Sequence, residues 1–137
     1  YLFDCEGHNV ASFGQVGSTW LLLRKRMEEY QNHDLLSLAE VMNNVNQDYY
    51  RWTPIKSLVP AIVFCFDFRE KELHFCPAGI PNLYVRKKKD IDYEQIDLKS
   101  SIVGYSEDSV FEEKVIPIGD VSDVMFTTDG LSDILSS

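Results

Sequence analysis

The chain has 137 residues, of which 45% are hydrophobic and 12% aromatic, and its formal net charge is −9. That length and composition suit one packed globular domain and exclude a disordered or fibrous protein. The acidity excludes nucleic acid and anionic lipid as natural partners, because phosphate backbones reward surplus Lys and Arg, and no apolar run approaches the roughly 20 residues of a membrane span.

In chain order, YLFDC reads as the end of a strand, followed by a turn at GHN. Phe13, Val16, Trp20, Leu23, Met27 and Tyr30 then recur at alternating intervals of three and four, which predicts a helix with one buried stripe. Asp34 is placed to cap a second helix whose stripe is Leu35, Leu38, Met42, Val45 and Tyr49, with QNH at 31–33 as the link. Past Pro54 and Pro60 the period changes. Val59–Phe68 and Leu73–Cys76 predict an antiparallel hairpin turning at Glu70 and Lys71, with Asn82–Val85 as a further strand. Residues 86–108 read as a loop with short extended pieces, and Val110–Ile118 and Val124–Thr128 as two strands about a Gly119–Asp120 turn. Segregation of helices from strands predicts an α+β fold with helices on one sheet face.

Three cysteines in no metal-like spacing predict free thiols, a reducing compartment and a cytoplasmic protein. In the predicted hairpin Cys65 and Cys76 would face each other across neighbouring strands, either as buried thiols or as a disulfide. The basic run RKKK at 86–89 reads as a solvated hairpin turn, with a docking patch as the alternative. The first residue is Tyr1 rather than Met, so the chain is expected to be part of a longer protein.

Two acidic turns carry the chemistry. At FDCEGH, Asp4 leaves an apolar strand into a turn, and at FTTDGL, Asp129 does the same. A carboxylate at the rim of a sheet needs water, hydrogen bonds or a cation to offset its charge. A pair of carboxylates can share a hard divalent cation such as Mg²⁺ or Mn²⁺, with glycine freeing a main-chain carbonyl as a further ligand. The bland alternative is that both are ordinary Asp-containing turns in an α+β interaction domain without metal.

Four stretches in order, FDCEGHNVAS, the hairpin running to Ala78-Gly79, VIPIGD and FTTDGLSD, resemble the metal-dependent protein phosphatases of the PPM (phosphatase 2C-like) class. The likeness is to its bacterial branch of stage II sporulation phosphatases and sigma-factor regulators, and it spans Leu2 to about Asp133. It implies an α-β-β-α sandwich of antiparallel sheets, here incomplete at both ends, within a single domain over residues 1–137. By that resemblance Asp4 would bridge two Mn²⁺ or Mg²⁺ ions, the carbonyl of Cys5 would sit at the adjacent ligand position, and Asp129 would hold one ion. The implied activity is hydrolysis of phosphoserine or phosphothreonine in a phosphoprotein by a metal-activated water, in a signalling output domain attached to an upstream sensor. His8 is a candidate proton donor to the leaving alkoxide, or else a histidine bonded to backbone in its turn. Glu6 is a candidate acceptor for a bound water, or a solvated turn residue. Asn9 stands at a common glycine of the branch and Ile80 at a frequent histidine, which leaves a second reading: a degenerate relative that binds a phosphoprotein or regulatory partner without turnover.

Overall fold

The computed structural model describes residues 1–3, 10–54 and 57–128. It holds strand β1 (Leu2–Phe3), helices α1 (Val10–Gln31) and α2 (Leu38–Trp52), and strands β2 (Ala61–Asp67), β3 (Glu72–Ala78), β4 (Asn82–Lys87), β5 (Glu94–Asp97), β6 (Lys114–Pro117) and β7 (Val121–Thr127). They form two sheets, one ordered β1-β2-β3-β6 and the other β5-β4-β7, and every strand pair is antiparallel.

The first sheet is buried on both faces, and the period of two along its strands sorts the side chains. Ala61, Val63, Cys76 and Ala78 face the helices and share a core with Leu23, Leu38, Val41, Met42, Val45 and Tyr49. Ile62, Leu73 and Phe75 face the second sheet and meet Ile80, Leu83, Val85 and Leu98. Phe126 of β7 joins the two sheets, its ring 5.3 Å from that of Phe64 and 5.8 Å from that of Phe75. The layer order is therefore helix pair, sheet, sheet: three of the four layers of the expected sandwich lie among the described residues.

Local chemistry explains where the elements stop, and it moves the expected start of α2. The N-cap of α2 is Ser37 rather than Asp34: its extended backbone lets Oγ accept from the amide of Glu40 at 3.2 Å, while the Glu40 carboxylate accepts from the amide of Leu36 at 2.6 Å. Leu35 consequently precedes the helix, though it still packs on the core. At the other end Thr53 is extended, as a residue before proline must be, and Pro54 ends the helix. On α1 the buried stripe is rotated from the expected one in its first half. Thr19 and Leu23 are buried, whereas Val16 and Trp20 are exposed at 41% and 39%; Arg24 lies over the Trp20 ring at 5.2 Å.

The hairpin of β2 and β3 turns at 68–71, with Lys71 in the left-handed region at φ 57° and the Asp67 carboxylate accepting from the amides of Arg69 and Glu70. Its register differs from the expected one: Cys65 pairs with His74 and Cys76 with Val63. The two sulfurs are thus diagonal neighbours on the helix-facing side, and both cysteines are free. Burial pushes the Cys76 thiol up to about 12.

Polar clamps tie the long 98–113 connection to α2. Asn46, fully buried, donates to the carbonyls of Ser106 and Glu107 and accepts from the amide of Gly104; Tyr50 donates to the Gly104 carbonyl, and Asn43 accepts from the amide of Phe111. A long loop packed against a helix needs such partners, because unpaired buried backbone groups are costly.

Candidate functional site

The residues expected to carry the chemistry, Asp4, Cys5, His8 and Asp129, lie outside the described residues, as do Glu6 and Asn9. The structure does describe the strands that lead into the two acidic turns. β1 runs antiparallel to β2 with Phe3 opposite Ala61, so the chain leaves β1 at the N-terminal end of β2. β7 runs antiparallel to β4 with Thr127 opposite Asn82, so the chain leaves β7 at the N-terminal end of β4.

Those two exits belong to different sheets, and the connection between β3 and β4 joins them. Ala61 bridges to Gly79 just past the end of β3, and the short segment Gly79-Ile80-Pro81 then crosses to Asn82 in the second sheet. Both strands that precede the acidic turns therefore end on the same rim of the sandwich, flanking one crossover. Gly79 makes the crossover possible. Its φ is +84°, and a Cβ there would lie 2.8 Å from the Ile102 side chain.

The rim is held by hydrogen bonds. The Gly79 amide donates to Ser100 Oγ at 2.9 Å, and the Leu98 amide to the Pro81 carbonyl at 2.7 Å. Gln95 Nε2 donates to Asp97 Oδ1 at 3.1 Å and lies 3.0 Å from the side-chain amide of Asn82. Asn82 and Thr127 are 8% and 3% exposed, so two polar side chains are buried opposite each other where β7 ends. Thr127 Oγ1 has no hydrogen-bond partner among the described residues. A buried hydroxyl left unpaired costs about 1–3 kcal/mol, which is unusual in a settled core.

Ile80 is fully buried between the sheets, so the apolar residue following Ala78-Gly79 serves the core rather than the rim. Sequence reasoning did not find Asn82, Gln95, Ser100 or Thr127. Only Thr127 had a usable signal, a hydroxyl in the expected strand immediately ahead of the Asp129 turn; the others reach the rim through pairings distant in sequence. Among the described residues no cluster of three or more His, Cys, Asp or Glu side chains is placed to hold a metal. No described helix is long and apolar enough to cross a membrane.

A family model described as stage II sporulation protein E (SpoIIE) matches residues 1–137. No curated protein matches the sequence. Among solved structures, the fold resembles the RsbU and RsbW domains of a Mycobacterium tuberculosis protein, with a TM-score of 0.68 at 18% identity over 85% of this chain and 31% of that one. A bacterial serine phosphatase bearing a point substitution gives a TM-score of 0.63 at 16% identity over 96% of this chain and 64% of that one. A sex-determining protein of C. elegans gives 0.57 at 14% identity, over 96% and 43%. At these identities the likeness is one of fold, and the chain spans less than two thirds of each of these structures.

Proposed function

Because the chain belongs to the stage II sporulation protein E (SpoIIE) family, we propose that residues 1–137 form one PPM-type domain of a metal-dependent protein serine/threonine phosphatase. The observation that carries this reading is the convergence of β1 and β7, from separate sheets, on the rim crossed by Gly79-Ile80-Pro81. Asp4 follows the first strand directly, and Asp129 follows the second after Thr128. Two carboxylates and the Cys5 carbonyl form an all-oxygen donor set, which fits Mn²⁺ or Mg²⁺ rather than a thiophilic metal. The Thr127 hydroxyl, without a partner among the described residues and two residues ahead of Asp129, is consistent with a polar site at this rim.

In this reading Asp4, the Cys5 carbonyl and Asp129 would be the groups that hold two divalent cations. Bound there, the cations supply Lewis-acid activation of water and offset of phosphoryl charge. The chain's own part would be placement: β1 and β7, each paired within its own sheet, end on one rim just ahead of the two carboxylates in sequence, and Gly79 lets the crossover pass between the strand ends. His8 donates a proton to the departing serine or threonine oxygen. No side chain of the enzyme acts as nucleophile, so Cys65 and Cys76 are free to be structural, and their thiols suit the reducing cytoplasm. The substrate is a phosphoprotein, and the domain serves as the output of an upstream sensor.

The test is Mn²⁺-dependent hydrolysis of a phosphoserine peptide by the full-length protein, with Asp4→Asn and Asp129→Asn alongside. Loss of an outer partner of a metal site typically costs about 10–100-fold, so each of these direct ligands should cost at least about 100-fold. Full activity in both variants would show that the assigned roles are wrong. The burial of Ile80 leaves the rim without a side-chain donor at that position and favours the second reading, a relative that binds phosphoprotein without turnover. A wild-type protein that retains the phosphopeptide but does not hydrolyse it would establish that alternative.

A further inference from the structure

At the opposite end of the sandwich, three turns meet around a groove of about 490 Å³. They are the β2–β3 turn at 68–71, the turn after β4 and the Gly119–Asp120 turn. Backbone bonds lock them together: the Ile118 amide donates to the Lys71 carbonyl and the Lys88 amide to the Asp120 carbonyl, each at 2.8 Å. The groove is therefore preformed, and ordering it on binding costs little.

Its wall is apolar, formed by Phe66, Phe68, Ile118 and Val121, and its charges are Lys71, Lys88 and Asp123. Phe66 and Phe68 stack at 5.9 Å with an interplanar angle of 12°, yet they are 38% and 81% exposed. The Asp123 carboxylate is already engaged, accepting from Arg86 Nε and Ser122 Oγ, each at 2.8 Å. Neither lysine has an ion-pair partner among the described residues; Lys88 Nζ reaches only the Gly119 carbonyl, at 3.2 Å. A chain of net charge −9 thus presents, beside an exposed aromatic pair, two cations that none of its described carboxylates neutralises.

We propose that this groove docks a short acidic segment of a protein partner, its aromatic or long aliphatic side chain against Phe66 and Phe68 and its carboxylates on Lys71 and Lys88. The basic run at 86–89 then has divided duties. Arg86 braces the sheet through Asp123, Lys87 belongs to β4, and Lys88 faces the groove. The apolar wall supplies the anchor and the lysines the selection for acidic sequence, a division common at interfaces. The surface lies at the other end of the strands from the rim where β1 and β7 end, so the proposal does not depend on the phosphatase reading.

The experiment titrates a fluorescein-labelled peptide, Glu-Phe-Glu-Glu-Leu-Glu, into the full-length protein and follows anisotropy. Binding that weakens with salt is expected, with Kd raised at least about 10-fold by the Lys71→Glu/Lys88→Glu pair and by Phe68→Ala, equivalent to a loss of about 1.4 kcal/mol. Phe68 is exposed, so its truncation leaves the fold intact; unchanged unfolding curves verify this for every variant. A peptide with Lys in place of Glu should not bind. Equal binding of that control, or unchanged Kd in the variants, overturns the proposal. So does concentration-dependent self-association abolished by the charge reversals, which would make the occupant a second copy. Peptide binding that appears only after flanking segments are removed would assign the groove to the protein's own chain.

Discussion

Replacing Gly104 or Gly79 with alanine adds the same methyl group at almost the same φ, +89° and +84°, but into different surroundings. Holding an L-residue in this region costs about 1–2 kcal/mol in either case. At Gly79 the new Cβ meets Cδ1 and Cγ1 of the Ile102 side chain at 2.8 Å and its Cβ at 3.1 Å, and Ile102 is only half-buried. Turning that side chain off its preferred rotamer adds about 0.5–1.5 kcal/mol. At Gly104 the new Cβ would lie 2.3 Å from the carbonyl oxygen of Ser57, a backbone atom, and 3.1 Å from the Tyr49 ring. Ser57 cannot retreat freely, since its carbonyl accepts from Tyr49 Oη at 2.9 Å and its amide donates to the same oxygen at 3.0 Å. Overpacking of this kind costs about 1–3 kcal/mol, and loss of the tyrosine bond about 1 more. The sums are about 2.5 kcal/mol for Gly79→Ala and about 4.5 kcal/mol for Gly104→Ala. Urea unfolding of the full-length protein and both variants, followed by tryptophan fluorescence, measures the difference directly. Equal losses, or a larger loss at Gly79, would refute the argument that the rigidity of the neighbouring atom sets the cost.

Asp48, buried on α2, accepts from Arg26 Nε at 2.9 Å and Nη2 at 2.6 Å, and Arg26 also reaches Glu29 at 2.7 Å. Asp48→Ala should cost about 2–3 kcal/mol in the same assay, below the usual 3–5 for a broken buried pair because Glu29 still compensates the guanidinium. A loss of only about 0.5 kcal/mol would mean that the pair behaves as a surface one. His74 bonds Glu113 through Nδ1 at 2.9 Å and Glu72 through Nε2 at 3.2 Å, and the Glu113 bond leads in raising its pKa. The folded-state value thus exceeds the unfolded one, so the stabilisation is complete below the ordinary imidazole value of about 6.5 and is lost as pH rises through the raised value. Urea midpoints measured from about pH 6 upward should fall across that window, and His74→Gln should flatten the fall; a slope unchanged by the substitution assigns it to other groups.

Much of the fold was legible because its signals are local. The strip Leu38, Met42, Val45 and Tyr49 lies on one face of α2 and is wholly buried, and the change of period past Pro60 marks the first hairpin. The misreadings arose where a competing local partner or a tertiary contact prevailed. Asp34 and Ser37 are both competent caps, and the choice fell to the residue with Glu40 three positions on. On α1 the expected stripe failed in its first half because Thr19 is buried where Trp20 was expected to be.

By itself the sequence determined the class of the fold and the order of its elements, and it singled out two segments bearing Asp and Gly that directly follow apolar strands. Periodicity, turn residues and the ordered motifs act over short spans of chain, so they survive without coordinates. Only the tertiary structure decided that β1 and β7 end on one rim although they lie in different sheets, and that Cys65 faces His74 rather than Cys76. It also decided that Lys71 and Lys88 share a groove with stacked phenylalanines. Strand register and sheet order are set by contacts between residues far apart in the chain, and no local pattern encodes which edges will meet.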